Sequence, residues 1–234
     1  MKPKDIDPAS VAAPVRVLII NPNTNPAVTE RVRIATLRFH RPGLVFDIEQ
    51  PKSGPFSIET PQHRAQAQRE VLALIRNKDT SQYAAILTAC FDDLALEEAR
   101  RISHAPVYGT CELCVEIIRR ITPKFSIITT VQQAVHGIEQ LVRLHGGGDA
   151  FTTYAAGIGV EQAAAAQPPT IDQVAATAAS AVQLDGAEAI LLASGGLTGY
   201  VPLLTGRVNV PIIDGVEAAI ESIVERVGIK NLPL

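Results

Sequence analysis

Ala84-Ala85-Ile86-Leu87-Thr88-Ala89-Cys90-Phe91-Asp92-Asp93 decides the fold. An apolar run ends abruptly in a thiol followed by two carboxylates. With helical patterns on both sides, such a run reads as a strand of a parallel sheet covered on both faces. The residue just past the carboxyl end of such a strand faces the crevice where open α/β sheets bind ligands. Cys90 therefore stands where a reactive group would be placed.

A second stretch repeats the first. Ala189-Ile190-Leu191-Leu192-Ala193-Ser194-Gly195-Gly196-Leu197 aligns with Ala85–Asp93 without a gap and sets Ser194 opposite Cys90. Downstream, Pro106-Val107-Tyr108-Gly109 begins 16 residues after Cys90, and Pro211-Ile212-Ile213-Asp214 begins 17 after Ser194. Upstream, Val17–Asn21 precedes Cys90 by about the spacing at which Phe125–Thr129 precedes Ser194. A period of roughly a hundred residues means two similar lobes and not a solenoid.

The totals fit this picture. A chain of 234 residues that is 47% hydrophobic buries a substantial core without disulfide or metal staples. The net charge of −3 is dispersed, so no basic stripe points to nucleic acid. No apolar run approaches the roughly 18 residues of a membrane span. Met1–Pro8 is polar and proline-broken, unlike a secretory signal. Three cysteines, an odd and small number, point to a reducing compartment, and the expected location is cytoplasmic.

In chain order, residues 1–14 read as a flexible leader. Strands are expected over 15–20, 44–48, up to Cys90, over 107–108, 125–129, within 151–160, up to Ser194, and over 210–213. Helices are expected over 26–39, 61–77, 93–103, 110–121, 132–145, 171–184, from about 200, and over 215–227. Thr24 or Asn25 caps the helix that Pro26 opens. Gln162–Pro169 reads as an alanine-rich polar loop with room for a helical turn. Strands alternating with helices give βαβ units. The fold class is α/β, with two similar parallel-sheet lobes, flanking helices and a pseudo-twofold, and the active site lies in the cleft between them. Residues 15–110 with 208–234 form lobe 1, and 111–207 form lobe 2.

Cys90 taken alone would be a buried structural thiol, the common fate of free cysteine. Its strand-end position argues instead for acid–base work, because a thiol with an ordinary pKa of about 8.5 needs only a modest shift. Backbone N–H groups at the start of the helix expected at Asp93 would supply that shift and would hold an oxyanion. Cys111 and Cys114 form C-x-x-C, but no second ligand pair exists and they share an apolar helical stripe, so they read as packing. Asn21, Asn23 and Thr24 are turn formers by default. The equivalent strand, however, ends in Thr129 and Thr130, so polar ends from both lobes describe a site for a small polar molecule. Gly195-Gly196 exposes amides suited to a carbonyl or carboxylate. His40, His63, His104, His136 and His145 are scattered without metal-ligand spacing, and no glycine-rich phosphate loop occurs. No metal and no cofactor are expected.

Together these stretches resemble the Asp/Glu/hydantoin racemase superfamily, nearest its hydantoin and allantoin racemase branch. The carrying residues are Ile20–Thr24, Ser57-Ile58-Glu59, Ala89–Asp93, Phe125–Thr130, Asp185–Ile190 and Pro211–Val216. The resemblance implies cofactor-free racemisation of a hydantoin-like cyclic ureide or amino-acid derivative by two cysteines, one on each face of the acidic carbon. The first falls on Cys90. The second falls on Ser194, where the family pattern has cysteine. The implied substrate-binding set is Asn21, Asn23, Ser57, Phe91, Asp92, Thr129, Thr130, Gly195 and Gly196, with the Phe56–Pro61 loop shaping the pocket. A homo-oligomer is implied as well. Three readings of Ser194 stand open: an engineered replacement, natural one-sided proton transfer as in a decarboxylase or isomerase, or a ligand-binding protein without turnover.

Overall fold

The computed structural model describes residues 13–228, so most of the expected leader lies outside the described residues. The first half runs β1 (Val15–Ile20), α1 (Pro26–Thr36), β2 (Leu44–Glu49), α2 (Pro61–Arg76), β3 (Ala85–Thr88), α3 (Leu96–Ile102), β4 (Val107–Gly109) and α4 (Thr110–Ile121). The second runs β5 (Phe125–Thr129), α5 (Gln132–Leu144), β6 (Phe151–Ala155), α6 (Val160–Ala165), α7 (Pro168–Asp185), β7 (Ala189–Leu192), α8 (Val201–Leu204), β8 (Ile212–Asp214) and α9 (Gly215–Arg226).

Each half makes a four-stranded parallel sheet. The orders are β2-β1-β3-β4 and β6-β5-β7-β8, the same topology twice. The repeat read in the sequence is a repeat in space, down to single hydrogen bonds. Ile86 N–H donates to the Pro106 carbonyl at 2.9 Å, and Ile190 N–H to that of Pro211 at 2.9 Å. At the strand tips, Ala89 N–H reaches the Ile20 carbonyl at 2.8 Å, and Ala193 N–H that of Ile128 at 2.8 Å.

Both faces of each sheet are covered, as continuous apolar strands require. In the first sheet Val17 and Ile19 face one way, against α1 and α9. Leu18, Ile20 and Ile86 face the other, against α2 and α3. In the second, Ile127 and Leu191 pack on α4 and α5, and Ile128, Ile190 and Leu192 on α7. The halves therefore exchange their last helices: α4 covers the second sheet and α9 the first. The sequence assigns residues 208–234 to the first lobe, whereas β8 stays paired with β7 and the crossing begins at Gly215.

Two elements differ from the expectation. The stretch read as a loop over 162–169 is α6 followed by the start of α7, because Pro168 takes the first helical turn, where proline loses no hydrogen bond. The helix expected from Asp93 starts three residues later at Leu96. Asp93 and Ala95 take left-handed backbone conformations, with φ of 45° and 59°, which no helix interior accepts.

Candidate active site

Cys90 and Ser194 follow the matched strand-tip hydrogen bonds, and both line one cavity of about 40 Å³ between the lobes. Asn23, Phe91, Asp92, Thr129, Thr130, Gly195 and Gly196 line it with them. The two tips abut: a Cβ at Gly195 would sit 3.4 Å from the Ala89 carbonyl oxygen. Asn21 and Ser57 stand outside this lining. Asn21 is fully buried and its amide is consumed within its own loop. It donates to Asn23 Oδ1 at 3.1 Å and Thr29 Oγ1 at 2.9 Å, and accepts from Asn23 N–H at 3.3 Å. It shapes the loop that presents Asn23. In the 56–61 loop it is Ile58, packed with Ala67 and Leu94 beside Cys90, that reaches the cavity.

The polar inventory is asymmetric. Asn23 Oδ1 is occupied by Asn21 and by Asn25 N–H at 2.9 Å. Thr129 Oγ1 donates to the Ala193 carbonyl at 3.2 Å, tying the Ser194 tip to the neighbouring strand. Ser194 Oγ accepts from Gly196 N–H at 3.3 Å. Among the described residues, the Phe91 and Gly195 N–H groups meet no backbone acceptor. The Phe91 ring itself belongs to the apolar core of the second lobe.

Cys90 is half-buried by its neighbours. Burial, reinforced by the Asp92 and Asp93 carboxylates, pushes its thiol well above the ordinary value. The Asp92 N–H and the Arg64 guanidinium pull the other way. Burial outweighs any modest shift toward neutrality, and the helix start expected to supply that shift is an irregular turn. Asp92 is paired with Arg64 Nε at 3.1 Å, and burial raises its carboxyl against that pairing. Arg64 Nη2 is buried with no hydrogen-bond partner among the described residues. Beyond this pair, a shallower depression of about 610 Å³ opens along Gly137, Gln140, Leu141 and Leu144, with Asp92 on the wall of both spaces.

One further cluster joins residues far apart in sequence. Asp93, Cys111 and His145 bring an oxygen, a sulfur and a nitrogen within 4.8 Å of one another. Both Asp93 oxygens are already occupied, by Cys111 N–H at 2.8 Å and Glu112 N–H at 3.0 Å. His145 Nε2 lies 3.1 Å from Asp93 Oδ2 as an ion-pair partner. The arrangement is thus a helix cap with an imidazole against it, an ion pair when His145 is protonated. Cys111 and Cys114 are buried in the second lobe's core, as packing residues are, and Cys114 Sγ donates to the Gly215 carbonyl at 3.1 Å.

This architecture has relatives. The sequence profile described as Asp/Glu/Hydantoin racemase matches residues 17–223. The chain belongs to the Asp/Glu/hydantoin racemase family. It is accordingly an enzyme of the isomerase class. A hydantoin racemase of Rhizobium meliloti is 30% identical over 213 residues, covering 88% of this chain and 86% of that protein. One of Paenarthrobacter aurescens is 28% identical over 207 residues, with 88% of each covered. The solved allantoin racemase of Klebsiella pneumoniae superposes with a TM-score of 0.85 at 30% identity, covering 92% of this chain and 88% of that one. Among the described residues, no helix is long and apolar enough to cross a membrane.

Sequence reasoning reached Ile58 only as part of the 56–61 loop and missed Val131, Ala134, Ile138 and Val160 on the cavity wall. Apolar residues in helices and loops carry no signal that separates a pocket wall from a core. It also missed Arg64 and His145, whose partners lie 28 and 52 residues away in sequence.

Proposed function

We propose that this protein is a cofactor-independent racemase or epimerase acting on a hydantoin-like cyclic ureide by proton transfer at the substituted ring carbon, which lies between a ring carbonyl and a ring nitrogen. The observation that carries the reading is the meeting of Cys90 and Ser194, equivalent residues of two repeated halves, on one small cavity. Cys90 Sγ is the acid–base group on one face. As thiolate it removes the α-proton, and as thiol it returns one. Burial and Asp92 favour the thiol, while the Asp92 N–H and Arg64 favour the thiolate, so the environment sets the balance between the two tasks. The Phe91 and Gly195 N–H groups and the Thr130 and Asn23 side chains are the candidates to hold the oxygens on which negative charge develops.

The cavity holds only a few water-sized guests, less than a five-membered ring needs. Substrate entry therefore requires the lobes to part, and closure then excludes water from the carbanion. The contacts that must yield are Glu59 Oε1 accepting from Val160 N–H at 2.9 Å and Arg31 donating to the Ala164 and Thr198 carbonyls at 2.7 and 2.6 Å.

A second reading is favoured by one observation. Ser194 offers a hydroxyl, a far weaker acid than a thiol, where the family resemblance places the second cysteine. Proton exchange from the Cys90 face alone, without inversion, is what that hydroxyl supports. A cytoplasmic location fits the three free thiols.

The test is deuterium exchange at the α-carbon of a 5-substituted hydantoin, followed by NMR. Cys90→Ser should slow exchange by about 10²–10⁴-fold, the usual contribution of a positioned acid–base group. Undiminished exchange in that variant removes Cys90 from the chemistry.

A further inference from the structure

Each carboxylate beside Cys90 faces a basic side chain: Arg64 for Asp92 and, charged when protonated, His145 for Asp93. The second pair is built with more care than an incidental contact requires. Asp93 leaves the helical region to take φ 45°, while its N–H stays bonded to the Cys90 carbonyl at 3.2 Å. That turn delivers its carboxylate to the start of α4, where the N-cap residue is Gly109 and has no side chain to cap with. Asp93 caps the helix in its place, through Cys111 and Glu112 N–H. A Cβ at Gly109 would lie 2.3 Å from Asp93 Cγ, so glycine there is what lets the carboxylate in. His145, at the end of α5, closes the site from the other lobe.

We propose that Asp93 and His145 are positioning residues for Cys90: the carboxylate pins the thiol-bearing turn to the start of α4, and the imidazolium offsets the negative charge that this carboxylate sets against the thiolate. This rests on the proton-transfer reading of Cys90. The neighbouring charges are accounted for. Glu112 and Arg100 face His145 from α4 and α3 and act on it in opposite directions. Arg119 of α4 reaches the adjoining Gly146. Asp92 and Arg64 face Cys90 itself. The Asp93 carboxylate raises the imidazole above its ordinary value, which keeps the cation into a higher pH range. Once His145 loses its proton, Asp93 opposes the thiolate without compensation.

The test reads Cys90 directly and needs no substrate. The rate of Cys90 alkylation by iodoacetamide is measured from pH 5.5 to 9 by peptide mass spectrometry, which separates Cys90 from the buried Cys111 and Cys114. In the unmodified protein the rate should rise less than tenfold per pH unit across the range where His145 deprotonates. His145→Gln should restore the full slope and slow alkylation near neutrality, by up to about tenfold per unit of displaced pKa. Asp93→Asn keeps an acceptor for α4 but removes the charge, and should speed alkylation. The double variant should match Asp93→Asn toward pH 9, where His145 is neutral in both. A merely structural pair predicts that both single variants expose the thiol and speed its reaction, and that result overturns the proposal. An unchanged profile in His145→Gln overturns it as well, even if Asp93→Asn fails to fold. Should this pattern appear while Cys90→Ser leaves α-proton exchange intact, the positioning pair stands and the proposed reaction falls.

Discussion

The two halves share strand order, helix exchange and strand-tip hydrogen bonds, yet they anchor their tips in opposite directions. In the first half the carboxylate sits on the catalytic turn: Asp93, three residues after Cys90, reaches forward to cap α4. In the second it sits on the helix: Asp214 caps α9 through Val216 and Glu217 N–H at 3.0 and 3.1 Å and reaches back to Gly199 N–H at 2.6 Å, five residues after Ser194. Either way one carboxylate fastens a strand-tip turn to the N-terminus of an exchanged helix, where its charge is favoured. The difference is what lies beside the tip. Asp93 stands close enough to Cys90 to oppose its ionisation and has His145 against it. Asp214 serves a tip whose group is a hydroxyl; among the described residues no basic side chain touches its carboxylate, and Arg31 acts on it from farther off. The half that carries the ionising group is the half whose cap carboxylate has a basic side chain in direct contact.

The largest effect is expected from making the two tips chemically alike. Ser194→Cys should gain racemisation of a 5-substituted hydantoin by about 10²-fold or more, within the range of a positioned acid–base group. The gain is read by polarimetry against the exchange rate, and inversion that fails to rise toward exchange would show that the second face is not Ser194's. Next comes the pH response of the unpaired cap. Burial pushes the Asp214 carboxyl up to about 6 from the model-compound value of 3.8. A raised carboxyl binds its proton more tightly folded than unfolded, so its contribution to stability is complete below pH 3.8 and is lost as pH rises through about 6. Urea unfolding should therefore lose about 3 kcal/mol across that window from this group. Asp214→Asn should flatten the loss, and an unchanged slope would refute the assignment. Smallest is the steric asymmetry. Gly109→Ala forces a methyl into the Asp93 carboxylate and should destabilise by about 1–3 kcal/mol in thermal or urea unfolding. If it is neutral, the trans cap is looser than the first half requires.

The fold was legible because strands buried on both faces write continuous apolar runs, and Ala85–Ala89 and Ala189–Ala193 are two such runs at matching distances from Pro106 and Pro211. The meeting of Cys90 with Ser194 followed from that repeat. What was not legible depended on contacts across the chain. Asn21 reads like Asn23 in sequence, and only packing decides which amide is consumed by its own loop. Asp93 reads as a helix start until its carboxylate is seen capping a different helix. The Gly215 crossing was misplaced by a few residues because Ile212 and Ile213 carry an ordinary strand pattern that does not say which sheet receives them.

The exchanged helices bear on how such a chain could arise. A polypeptide of one half alone, ending in its own α4, would leave bare the sheet face that α9 now covers. It could bury that face only by accepting the terminal helix of a second copy. The two-lobed chain is thus the covalent form of a helix-swapped dimer, and no single cut near residue 122 would release two self-sufficient pieces.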